Sequence, residues 1–165
     1  SHHSHGSGID PHIWTSLQCL KILASNAYKS LSLLYPDSTN FKSNYEAFSI
    51  KIEHADSIVK GTVSGSRVKS FIIYHPALTY YARDYGLEQV ALEHEGKEPS
   101  AEQLRQIINV AKDENITKIL YQSEFSATTV STVAKDINAE IVEIDPLSED
   151  VVNNTLYITN VITNK

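Results

Sequence analysis

The chain has 165 residues, a formal net charge of −6, and 41% hydrophobic against 21% charged residues. That is about one ordinary globular domain with enough chain for a sizeable core. The acidic balance, with no stripe of Lys and Arg, argues against nucleic-acid binding, no apolar run is long enough to span a bilayer, and the single cysteine, Cys19, excludes an internal disulfide.

Residues 1–9 open on Ser-His-His-Ser-His-Gly-Ser-Gly. The stretch reads either as a tag remnant or as a flexible loop that collects metal through His2, His3 and His5. Next, Asp10-Pro11-His12-Ile13-Trp14 opens a helical pattern. Asp10 is expected as the N-cap, Pro11 as the first helical residue, and His12 in the first turn. Apolar residues at Ile13, Leu17, Leu20, Ala24, Ala27, Leu31 and Leu34 alternate steps of four and three, one stripe of an amphipathic helix. Tyr35-Pro36-Asp37-Ser38 breaks it.

A second helix is expected from Thr39 to Lys60, roughly 33 Å long at 1.5 Å per residue. Its stripe is Phe41, Tyr45, Phe48, Ile52, Ala55 and Ile58, predicted to pack on the rest of the domain. The run from Gly61 to Ser66 is expected to end it.

From here strands and helices alternate. Strand one is Lys69 to Tyr74, a continuous apolar run buried on both faces. It must stop before Pro76, which lacks a ladder donor and suits the start of a helix. A helix is therefore expected from Pro76 to about Tyr85, ended by Gly86. Strand two lies near Gln89 to Leu92. Ser100 and Gln103 form a capping box for a helix with Leu104, Ile107, Ile108 and Ala111 on one face. Strand three is Lys118 to Tyr121. Ser126 is a candidate cap for a helix bearing Val130, Val133, Ala134 and Ile137. Strand four is Glu140 to Ile144, and a last helix begins after Ser148 with Glu149 and Asp150 in its first turn. Such alternation implies right-handed crossovers: an α/β fold with a four-stranded parallel sheet ordered 2-1-3-4 and helices on both faces.

His75 falls at the carboxyl end of a buried strand, where open α/β sheets bind ligands. His12 and Asp145 lie beside the other rigid X-Pro junctions. Each has an ordinary reading alone, a polar surface residue or an Asp-Pro turn. Three metal-capable side chains on stiff element ends point to a metal site. Two histidines and a carboxylate suit Zn2+, usually four-coordinate.

These segments, in order, resemble a known family. Asp10-Pro11-His12-Ile13-Trp14, the long helix from Asn40, Tyr74-His75-Pro76-Ala77, Glu95-Gly96-Lys97-Glu98-Pro99-Ser100, Glu124-Phe125-Ser126 and Ile144-Asp145-Pro146-Leu147 are similar to the zinc-uptake substrate-binding proteins of bacterial ABC transporters. The resemblance implies two α/β lobes joined by a long helix, with the metal in the cleft between them. It places this chain as the second half of such a protein, without the first lobe and its histidine ligand. Residues 1–9 become the end of a histidine-rich loop, 10–37 a ligand-bearing helix, 38–65 the linker helix and 66–165 the C-terminal lobe. His12, His75 and Asp145 match the remaining ligand places. The implied partners are Zn2+ and a membrane permease, with a periplasmic or otherwise extracytoplasmic location and membrane attachment only through an anchor or the permease. Gln122-Ser123-Glu124-Phe125 departs from the family pattern of an acidic residue followed by Pro-Gln-Phe, and the disulfide of some members cannot form here.

Two other readings stand beside it. One is a manganese- or iron-binding member of the same family, although His75 favours zinc over manganese. The other is a zinc hydrolase, with Glu124 or Glu143 as the base beside an open coordination position. The absence of an HExxH helix motif weighs against an enzyme. A role in cell adhesion rests on family labels alone.

Overall fold

The structure is a computed structural model that describes residues 9–94, 96–125 and 127–164. The histidines of the first eight residues, Glu95 and the expected cap Ser126 lie outside the described residues. A 3-10 turn at Ile13–Thr15 leads into helix α1 (Leu17–Leu34), and helix α2 (Asn40–Gly65) follows a short turn. Strand β1 (Ser70–Ile73), α3 (Thr79–Tyr85), β2 (Glu88–Ala91), α4 (Ala101–Asp113), β3 (Lys118–Tyr121), α5 (Ala127–Ile137), β4 (Glu140–Glu143) and α6 (Val151–Thr163) complete the chain.

The four strands form one parallel sheet in the order β2-β1-β3-β4, as the alternation of elements predicts. Alternate residues of β1 point to opposite faces. Phe71 and Ile73 join the core under α1, α2, α3 and α6, with Leu17, Ile52, Val59, Leu78, Tyr81, Val152 and Ile158. Ile72 and Tyr74 join the core under α4 and α5, with Ile107, Ile119, Val130 and Val133. The central strand is therefore buried from both sides, which is what its unbroken apolar run requires.

Four local expectations need correction. First, α1 begins at Leu17, capped by Ser16, whose hydroxyl accepts the Cys19 N–H. Asp10 is not its cap, because its carboxylate is taken by the backbone and ring of His12. Second, the helix after β1 does not start at Pro76. The chain turns through His75 to Leu78 and becomes helical at Thr79. Side chains from the flanking strands hold that turn, Gln122 on the His75 backbone and Gln89 on the Leu78 N–H. Third, α2 runs through Gly61 to Gly65 and buries Ile52, Ala55 and Val59, whereas Phe48 and Ile58 are exposed. Only the second half of α2 reaches the sheet core. In the first half, Tyr45 stacks on Tyr28 of α1 with ring centroids 4.8 Å apart, and Phe41 meets Tyr35. That part of the stripe joins two helices and does not pack on the sheet. Fourth, Asp150 stands before α6 and not in its first turn, accepting the Asn153 N–H as N-cap. The capping box at Ser100 and Gln103 is present as expected.

Candidate metal centre

Parallel strands present their carboxyl ends on one edge of the sheet, and the register continues past the last paired residues. The offset of 18 that pairs Ile73 with Ala91 also sets His75 against Glu93. The offset of 47 that pairs Ile73 with Leu120 sets His75 against Gln122. Glu93, His75 and Gln122 thus form a row just beyond β2, β1 and β3.

Each member of the row is fixed. Gln122, 1% exposed, accepts the His75 N–H through Oε1 at 3.2 Å and donates from Nε2 to the His75 carbonyl at 2.9 Å. The His75 ring has its Nδ1 2.6 Å from Glu93 Oε2. Phe125 lies over the ring, with centroids 5.0 Å apart and planes inclined by 24°.

His12 comes to the same place from the other end of the chain. Its ring meets that of His75 edge-on, with centroids 5.2 Å apart. Its Nδ1 is 2.7 Å from Asp10 Oδ1, which also accepts the His12 backbone N–H at 2.9 Å. Burial alone would raise the Asp10 carboxyl. Hydrogen bonds from the His12 backbone, Thr79 and the His12 ring outweigh it and hold the group below the ordinary carboxylate range. The Tyr80 hydroxyl donates to the Asp10 carbonyl and the Thr15 hydroxyl to the His12 carbonyl, each at 2.8 Å. Among the described residues, neither histidine has a hydrogen-bond partner on Nε2.

Asp145 occupies the loop after β4 and is exposed. Its Oδ1 accepts the Leu147 N–H at 2.9 Å, and its carbonyl accepts from the Asn154 side chain at 2.9 Å. The Trp14 indole donates to the carbonyl of Pro146 at 2.9 Å, tying this loop to the His12 segment. The structure therefore brings His12 and His75 together and links the Asp145 loop to them. Among the described residues, no group of three or more His, Cys, Asp or Glu side chains stands close enough to hold an ion. His2, His3 and His5 lie outside the described residues.

Sequence reasoning missed the supporting residues. Asp10 read as a helix cap, Gln122 as a departure from a pattern, and Glu93 fell just past the expected end of strand two with no role. Extending the strand register by two residues, once the order 2-1-3-4 is in hand, would have found Glu93 and Gln122.

Comparison with known proteins decides the family. The family described as zinc-uptake complex component A, periplasmic, matches residues 1–164. The chain belongs to that family. A zinc-binding lipoprotein of Streptococcus pneumoniae, AdcA, is 32% identical over 154 residues, covering 88% of this chain and 30% of its own length. A crystal structure of ZnuA superposes with a TM-score of 0.88 at 33% identity, covering 98% of this chain and 62% of that one. A ZnuA deletion mutant solved with zinc bound gives the same TM-score at 34% identity, covering 96% and 61%. The chain thus spans less than a third of the curated relative and under two thirds of the solved ones. Lower-identity structural neighbours share the fold.

Proposed function

We propose that the chain is part of an extracytoplasmic substrate-binding protein that captures Zn2+ and hands it to the membrane permease of an ABC transporter. In this reading residues 10–37 carry one ligand, 38–65 form the linker helix and 66–165 form the lobe carrying the other two. The observation that supports it best is the pair of imidazoles 5.2 Å apart, each with Nδ1 on a carboxylate and, among the described residues, no hydrogen-bond partner on Nε2. A carboxylate behind a histidine is the usual outer support of a metal ligand. His12 and His75 take the ion through nitrogen, and Asp145 supplies the carboxylate from the loop that Trp14 holds nearby. Histidine nitrogens favour zinc over manganese, and the Irving–Williams order adds to that preference.

The ion is cargo here, and capture needs no bond-making chemistry. A hydrolase would need a base beside the ion. Glu124 and Glu143 are both exposed, and neither is hydrogen-bonded to His12 or His75. A family of zinc-uptake components favours transport over catalysis.

The test is zinc analysis after equilibrium dialysis of the chain and of its His12→Ala, His75→Ala and Asp145→Ala variants. Residues 1–5 are removed in every sample so that they do not contribute. Each variant is expected to retain less zinc than the parent. Equal zinc in the parent and all three variants would sink the reading.

A further inference from the structure

We propose that Glu93 is a positioning residue that locks the His75 imidazole in the tautomer with its proton on Nδ1, leaving the Nε2 lone pair for a metal ion. In its consequence for zinc, this rests on the reading of His75 as a ligand. The tautomer itself does not.

Glu93 is 8% exposed, an unusual place for a carboxylate unless its oxygens are satisfied. Both are. Oε2 lies 2.6 Å from His75 Nδ1, and Oε1 accepts the Gly96 N–H at 2.7 Å. The second contact fixes the role of one oxygen. A backbone N–H can only donate, so it holds Glu93 as an acceptor. With Oε1 held as an acceptor, the ring donates the short contact, from Nδ1 to Oε2. The proton then resides on Nδ1 and the lone pair on Nε2.

The turn that delivers the Gly96 N–H needs glycine. Its φ is +74°, in the left-handed region that L side chains rarely adopt. His94 and Lys97 close the turn with reciprocal backbone hydrogen bonds of 3.0 Å. The ring has little freedom to escape. Its backbone is clamped by Gln122, Phe125 covers it at 5.0 Å, and His12 abuts it. Its tautomer is left to set, and Glu93, the partner of Nδ1 among the described residues, sets it.

Glu93→Gln inverts this arrangement with almost no change of shape. The amide oxygen must stay with the Gly96 N–H, which turns the amide NH2 towards His75. Nδ1 then has to accept, and the ring proton moves to Nε2. A metal would have to displace that proton.

Long-range 1H–15N correlation spectra of the full, 15N-labelled, metal-free chain at mildly alkaline pH read the tautomer directly. His75→Ala identifies the resonances. The expected result is an Nδ1–H ring in the parent and an Nε2–H ring in Glu93→Gln. Zinc titration of the same two proteins against a chromophoric chelator should show a loss on the order of 10- to 100-fold in the variant. An Nε2–H ring or a rapid mixture of tautomers in the parent overturns the proposal, and that spectrum decides even if the variant does not fold. A folded Glu93→Gln protein with an unchanged His75 signal also overturns it. A locked ring in a chain whose zinc binding ignores His75→Ala would instead refute the ligand reading and leave the tautomer standing.

Discussion

Gln122→Leu removes the clamp that fixes the end of β1 and so tests how the site is built. Leucine is close in volume and apolar, so the perturbation is mainly the loss of two hydrogen bonds. In the parent one amide satisfies both backbone groups of His75, at 3.2 Å and 2.9 Å, from a position that is 1% exposed. Each bond is worth about 1 kcal/mol net, and a buried backbone group left unpaired costs about 1–3 kcal/mol. Leucine recovers some of this through its greater hydrophobicity, so the expected cost is roughly 2–3 kcal/mol. For a domain of this size that is a fall in melting temperature on the order of 5–10 °C. The assay is urea denaturation followed by circular dichroism, with the m-value showing whether the unfolded state has changed. Gln122→Glu keeps the acceptor but puts a carboxylate oxygen against the His75 carbonyl, and should cost at least as much. A Gln122→Leu protein within about 0.5 kcal/mol of the parent at unchanged m-value would show that the clamp does not hold the strand end, and the reasoning would fail.

On α2, Ile52→Ala should cost about 2–5 kcal/mol as a buried truncation, whereas Phe48→Asp should cost under about 1 kcal/mol, because Phe48 is 37% exposed and Ile52 only 2%; paired denaturation curves compare them, and equal losses would contradict the observed packing. Burial pushes the Tyr81 hydroxyl up to about 12, against a weaker opposing pull from its hydrogen bond with Thr159. Its neutral form is therefore stabilising below the ordinary tyrosine value of about 10, and roughly 3 kcal/mol is lost as pH climbs from there to the folded value. Tyr81→Phe should flatten that alkaline loss in pH-resolved denaturation, and an unchanged alkaline slope would count against it. Gly96→Ala places a side chain at φ +74° and should destabilise the turn by roughly 1–3 kcal/mol, measured by thermal melting. Leu33, Leu34, Ile22 and Ile50 expose much of their apolar surface on α1 and α2, which predicts self-association that light scattering should register as a mass rising with concentration.

The order of the sheet was legible because its signals are local. Pro76, Gly86 and the Ser100 capping box punctuate apolar runs whose lengths separate strand from helix. The stripe on α2 before Ile52 departs from expectation because periodicity gives a face and not the partner of that face. Phe41 and Tyr45 turn to α1, and Phe48 has no buried place. The helix start at Pro76 was misplaced because side chains distant in sequence, Gln89 and Gln122, satisfy the backbone that a helix would otherwise have used. The two histidines were found from their junctions with proline. Their supports were not, since Glu93 meets His75 only through strand register and Asp10 meets His12 through a turn that a helix reading had hidden.

The central claim is that His75 belongs to a site built for zinc. Competition of Zn2+ and Mn2+ for the chain against a chromophoric chelator tests it most directly, with residues 1–5 removed and the His75→Ala variant alongside. The account predicts measurable zinc binding that exceeds manganese binding and is mostly lost in His75→Ala. Equal affinity for the two metals, or zinc binding untouched by His75→Ala, would contradict it.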